Sequence, residues 1–185
     1  RSGNSSRCRR RLVDVRPDGG YDQGQMDMIK TLVAIPVYNE QHYVQCVLEQ
    51  VRRFADDVLV IDDGSTDDTP LLVARQPVAL IRHAVNRGYG RSIRDAFRWA
   101  DCYGYDWLIT MDCDEQHEPA NLPSFYRAIE CNDADVISGS RYLDHALCGD
   151  QPPPDRRAIN ATMTQLINAR LGLAITDAFC GFKAY

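Results

Sequence analysis

Short runs of β-branched and aliphatic residues recur along the chain: Thr31–Val37 (TLVAIPV), Asp57–Asp62 (DVLVID), Val78–His83 (VALIRH), Asp106–Asp112 (DWLITMD) and Ala134–Ser140 (ADVISGS). Their brevity and near-continuous apolar character suit strands of a parallel sheet, buried on both faces. Between them the apolar period lengthens. Val44, Val47, Leu48 and Val51 fall at i, i+3, i+4 and i+7, which predicts a helix with Asn39 as its N-cap. Ile93, Ala96, Phe97 and Ala100 repeat that spacing after Gly90. Ile159, Met163, Leu166 and Ile167 form a further apolar face that ends at Gly172, a residue suited to closing a helix. The alternation predicts an α/β fold with an open, mostly parallel sheet covered by helices.

Residues 1–30 lack this pattern. They carry Arg7, Arg9, Arg10 and Arg11, then Pro17, Gly19, Gly20 and Gly24, and read as a basic, mobile tail ahead of a domain spanning 31–185. The arginines suit either an anionic membrane surface or a solvated leader. A length of 185 residues predicts one domain, and 44% apolar with 25% charged residues is a soluble globular composition. No stretch approaches the roughly eighteen apolar residues of a membrane span, so the expected location is cytoplasmic. Seven cysteines without a CxxC pair argue against a zinc knuckle or a disulfide framework. A net charge of −5 argues against nucleic acid as a general partner.

In open parallel sheets ligands bind beyond the C-terminal strand ends. Those ends are polar here: PVYNE (Pro36–Glu40), IDDGSTDDT (Ile61–Thr69) and MDCDEQHEP (Met111–Pro119). Asp112 and Asp114, at i and i+2, point to one side of an extended segment, with Cys113 to the other. Paired carboxylates of this kind suit Mg²⁺ or Mn²⁺, whose open positions accept diphosphate oxygens, although DxD is a short pattern that also occurs in acidic loops. Asp63 is placed to accept hydrogen bonds from a base or ribose, while Asp67 and Asp68 read as a polar turn before a helix. NRGYGRS (Asn86–Ser92) is a glycine turn entering a helix, a place for an anion or simply a turn that needs glycine. His83, His117 and His145 have no metal-ligand spacing and read as structural or surface residues. In PPPDRR (Pro152–Arg157) prolines stiffen a loop entering a helix. Arg156 and Arg157 there either pair with a phosphate at the rim of the site or are solvated charges.

The blocks VAIPVYNE, VLVIDDGSTDDT, VNRGYG, LITMDCDEQHEP, DVISGSRY and TDAFCGFKAY resemble, in order, those of family 2 glycosyltransferases. Within that family the chain looks most like the dolichol-phosphate mannosyltransferase and polyprenyl-phosphate glycosyltransferase branch. The resemblance runs from Leu32 to Tyr185 and implies a GT-A, Rossmann-like sheet with helices on both faces. It implies hexosyl transfer from a nucleotide-diphosphate sugar, GDP-mannose or UDP-glucose, to a polyprenyl or dolichyl phosphate at a membrane surface, metal-dependent and inverting. By the same resemblance Pro36, Tyr38 and Glu40 form one wall of the nucleotide site, and Ile61 and Asp63 the other. Asp112, Asp114 and Gln116 match the donor- and metal-binding block, with Cys113 in place of a small residue. Arg141 matches a basic residue near the phosphates, and Lys183 lies in the segment with Asp177, Gly181 and Phe182. Cys180 stands where serine is usual. The family continues past the position of Tyr185, which implies a domain truncated at its C-terminus. A phosphate acceptor is already anionic and needs no strong general base, in keeping with the lack of a convincing base among Asp144, Asp150 and Asp155. A saccharide-hydroxyl acceptor with a UDP-sugar donor, and a non-catalytic sugar-nucleotide-binding fragment, are the alternatives.

Overall fold

In the computed structural model, which describes residues 12–14, 29–113, 119–140, 142 and 153–185, each predicted apolar run forms a strand. They are β2 (Thr31–Val37), β3 (Val58–Asp62), β4 (Ala79–Arg82), β5 (Trp107–Thr110) and β6 (Val136–Ser138). Two further strands, β1 (Leu12–Asp14) and β7 (Lys183–Ala184), complete a sheet of order β1-β6-β7-β5-β2-β3-β4. All neighbouring pairs are parallel except those of β7, which runs antiparallel to both β5 and β6.

Side-chain alternation on the central strands builds two cores. Leu32 and Ala34 of β2 and Leu59 and Ile61 of β3 face α3 (Tyr89–Cys102), whose Ala96 and Ala100 offer little bulk and let the helix lie close to the sheet. Val33, Ile35 and Val37 face the opposite layer. There α1 (Val44–Val51) contributes Val44, Leu48 and Val51, α2 (Thr69–Val73) contributes Val73, and α4 (Leu122–Glu130) contributes Leu122, Phe125 and Ile129. Phe125 stacks on Phe182, with ring centroids 4.3 Å apart, and so ties α4 to the segment just before β7.

Several elements depart from the sequence expectations. Asn39 is not an N-cap. It adopts φ 58°, its side-chain oxygen accepts the Thr66 N–H at 2.9 Å, and α1 begins later, with Tyr43 in the cap position. Phe97, expected in the core face of α3, is 40% exposed and meets the Tyr185 ring edge-on. Within the segment read as a mobile tail, Leu12–Asp14 forms an edge strand beside β6. The rest of 1–28 lies outside the described residues.

The largest departure is α5 (Pro154–Leu171), which ends as expected at Gly172 in the left-handed conformation. Most of its apolar stripe faces outward: Ile159, Met163 and Leu166 are 58%, 38% and 51% exposed, and Ile167 is half-buried. Asn160 and Thr164 are the buried residues instead. The reason lies beneath the helix, where Asp177 is fully buried and accepts a hydrogen bond from Asn160 Nδ2 at 2.7 Å. The Thr164 hydroxyl donates to Asn160 Oδ1 and accepts the Ala178 N–H. A buried carboxylate requires such partners, so the polar side of α5 turns inward.

Candidate active site

Because β5, β2 and β3 are parallel neighbours, their C-terminal ends share one edge of the sheet, and β7, running the other way, starts from that edge. Tyr38, Glu40, Asp63, Asp112 and Lys183 are therefore gathered along it. The loops after β2 and β3 are clamped together. Ser65 Oγ accepts the Asn39 N–H at 2.9 Å, Thr69 Oγ1 accepts the Glu40 N–H at 2.8 Å, and Asp67 Oδ2 accepts the Gln41 N–H at 3.1 Å. Asp67 Oδ1 also accepts the Thr69 N–H at the start of α2, in keeping with the polar-turn reading. Tyr38 stands 45% exposed above this clamp. Gly64, at φ 77°, lets the loop after β4 press against the end of β3: a Cβ there would collide with the Val85 backbone.

Asp63, 4% exposed, is held from several sides. Its Oδ1 accepts the Arg87 N–H at 2.9 Å and faces His83 Nδ1 at 2.6 Å, while Oδ2 accepts the Gly88 N–H at 2.7 Å. Burial pushes the Asp63 carboxyl up, but the hydrogen bonds from His83, Arg87 and Gly88 outweigh it and hold the group below the usual carboxylate range.

Asp112 lies two residues past the end of β5 and packs so closely on Gly181 that an added Cβ at that glycine would overlap its carboxylate. The Gly181 turn is itself fixed by the Thr110 hydroxyl, which donates to the Gly181 carbonyl at 2.9 Å. Lys183 pairs in register with Thr110 and Ser138, and its Nζ donates to Ser138 Oγ at 2.8 Å. A cavity of about 480 Å³ opens here, its wall including Tyr89, Asp112, Phe179, Gly181, Lys183 and Tyr185. Burial, the Asp112 charge and a hydrogen bond to Asp112 together push the Tyr89 phenol well above its ordinary range.

The expected site residues are thus distributed unevenly. Asp112 and Lys183 share the cavity, whereas Tyr38, Glu40 and Asp63 lie further along the same edge. Ile61 is fully buried under α3, so its side chain offers no surface to a ligand, and Pro36 is half-buried within β2. Cys113 is buried in the core, pointing away from the cavity side as the alternation requires. Arg156 and Arg157 are exposed near the start of α5. Asp114, Gln116 and Arg141 lie outside the described residues. Among the described residues no group of three or more His, Cys, Asp or Glu side chains could hold a metal. Asp112 nonetheless supplies a hard oxygen donor at the cavity, the ligand chemistry that suits Mg²⁺ or Mn²⁺. Tyr89 was not singled out from the sequence, whereas His83, read there as structural or surface, is buried and bonded to Asp63; its position directly after a strand at the ligand edge was the signal for that contact.

A family model described as glycosyl transferase family 2 matches residues 32–185. Among curated relatives, an undecaprenyl-phosphate mannosyltransferase of Micrococcus luteus is 32% identical over 164 residues, covering 85% of this chain and 66% of the relative. A polyprenol monophosphomannose synthase of Mycolicibacterium smegmatis is 30% identical over 164 residues, covering 84% of this chain and 61% of the relative. The chain thus spans just under two thirds of the length of these proteins. In fold it resembles glucosyl-3-phosphoglycerate synthase from Mycobacterium tuberculosis, solved with Mn²⁺, UDP-glucose and phosphoglyceric acid. That likeness has a TM-score of 0.67 at 16% identity and covers 95% of this chain and 64% of that one. Among the described residues no helix is long and apolar enough to cross a membrane.

Proposed function

The chain belongs to glycosyl transferase family 2, and from that premise we propose that it transfers a hexose, mannose in the first instance, from a nucleotide-diphosphate sugar to a polyprenyl phosphate. The observation that carries this reading is the Asp112 carboxylate set against Gly181 in the wall of a cavity that Lys183 also lines. An anionic and a cationic group at one strand edge suit a ligand that brings both hydroxyls and phosphates.

In this reading Tyr38, Glu40 and Asp63 bind the nucleoside, and Lys183, with Arg141, pairs with the diphosphate. Asp112, Asp114 and Gln116 would hold a divalent cation, Mg²⁺ or Mn²⁺, which when bound neutralises charge on the departing diphosphate. An acceptor phosphate oxygen attacks the anomeric carbon as the bond from that carbon to the diphosphate oxygen breaks, and the anomeric configuration inverts. No proton has to be removed from the acceptor, so the reaction asks for positioning and charge neutralisation rather than a strong base.

Two features of α5 support a lipid acceptor. Ile159, Met163 and Leu166 form an exposed apolar stripe, and exposed Arg156 and Arg157 lie on the same helix. An apolar face flanked by basic groups suits the interface of an anionic membrane, which gives the protein a peripheral position there. The curated relatives quoted above are named for polyprenyl phosphate acceptors, which supports the same choice. The test is transfer from GDP-mannose and UDP-glucose, with Mn²⁺, to polyprenyl phosphate in vesicles or to a free oligosaccharide. Transfer to the lipid with inverted configuration supports the reading, and transfer to the oligosaccharide alone overturns it.

A further inference from the structure

His83 joins two carboxylates from different elements. Its Nδ1 lies 2.6 Å from Asp63 Oδ1, and its Nε2 lies 3.0 Å from Asp95 Oδ2 on α3. Asp95 Oδ2 also accepts from Arg91 Nε at 2.7 Å, and Arg98 reaches Asp95 Oδ1 at 3.4 Å. The His83 side chain is 7% exposed and that of Asp95 12%. We infer that His83 and Asp95 act as a positioning relay which sets the Asp63 carboxylate to receive one hydrogen-bond donor from the nucleoside part of the donor substrate. This inference rests on the proposed role of Asp63 in nucleoside binding.

The argument is a count of acceptor positions. An ionised carboxylate only accepts, and each oxygen offers two lone pairs. On Oδ1 both are taken, by the Arg87 N–H and by His83 Nδ1, which must therefore donate. On Oδ2 the Gly88 N–H takes one. One acceptor position is left, on Oδ2, suited to a single base N–H or ribose O–H. Without His83 the carboxylate keeps only its two backbone donors and gains freedom to rotate, and the remaining position is no longer fixed. Asp95 serves by holding the far side of the imidazole, with Arg91 and Arg98 holding Asp95.

Asparagine places its amide nitrogen near the position of Nδ1, and glutamine places its amide nitrogen near that of Nε2, so the two replacements separate positioning from packing. The experiment measures binding of GDP, UDP and inorganic pyrophosphate, each with Mn²⁺, to the parent, His83→Asn and His83→Gln, alongside melting temperatures. In His83→Gln the affinity advantage of the better-bound nucleotide over pyrophosphate is expected to shrink about tenfold, the scale of one hydrogen bond to a charged group. His83→Asn is expected to recover most of that loss. A His83→Gln protein that keeps the full advantage, or loses nucleotide and pyrophosphate binding alike, overturns the relay. A parent that binds pyrophosphate but gains nothing from either nucleoside instead overturns the reading of Asp63 beneath it.

Discussion

The Asp112 carboxylate rests against the one residue type that leaves room for it. A Cβ at Gly181 would meet the tip of a side chain rather than backbone, so Gly181→Ala is expected to fold while pushing Asp112 aside. Transfer should fall at least about tenfold while the melting temperature shifts by only a few degrees, read from parallel kinetic and thermal measurements. Gly64 is the opposite case. Its φ is 77° and an added Cβ would strike the Val85 backbone, so Gly64→Ala should destabilise the fold by about 2 kcal/mol or more in urea titrations. Asp114→Ala is expected to remove Mn²⁺-dependent donor binding without lowering the melting temperature, because it relieves repulsion among neighbouring acids. Asp63 and Asp95 both titrate below the ordinary carboxylate value. Burial pushes Asp95 up, but hydrogen bonds from Arg91 and His83 outweigh it. A depressed folded-state value stabilises the protein above the unfolded value and stops doing so as pH falls through the folded one. The stability deficit of Asp95→Asn should therefore be full at neutral pH and shrink below about pH 4. A deficit unchanged in acid would contradict that assignment. Asp112 and Asp63 were legible in the sequence because acids directly after apolar runs mark strand ends. The closeness of Gly181 to Asp112 was not, since it depends on two segments meeting across the sheet.

At the level of elements, periodicity located α5 but could not say which side faces in. The stripe of Ile159, Met163 and Leu166 has helical spacing whether it meets a core or a membrane. What decides the matter is the buried Asp177, whose partner Asn160 lies on the opposite face. Asn160→Ala should cost about 1–3 kcal/mol in denaturant titrations, because the buried Asp177 carboxylate loses the Asn160 amide donor. Leu166→Ser, on the exposed stripe, should stay within about 0.5 kcal/mol of the parent, yet weaken association with anionic vesicles. Strands β2, β3, β5 and β6 were legible because each is a run of largely buried aliphatic residues; β4 was legible from its apolar run alone, since at the end of the sheet its residues are half-buried or exposed rather than covered on both faces as expected. Strands β1 and β7 were not. They span Leu12–Asp14 and Lys183–Ala184, too short for any alternation to register, and tertiary pairing alone selects them.

Across the whole molecule, the proposed site draws on strands distant in sequence ending at one edge: β2 with Tyr38 and Glu40, β3 with Asp63, β5 with Asp112, and the start of β7 with Lys183. The α/β class and the strand edge followed from the alternation of apolar runs. The insertion of antiparallel β7 between β5 and β6, which brings Lys183 opposite Thr110 and Ser138, did not. If these residues form one donor site, nucleoside and diphosphate recognition should be coupled through the metal. Calorimetric titration of the purified protein with GDP-mannose and with UDP-glucose, each with and without Mn²⁺, tests this most directly. One of the two sugars is expected to bind with an affinity at least about tenfold higher when Mn²⁺ is present; binding of neither, or binding indifferent to the metal, would contradict the account.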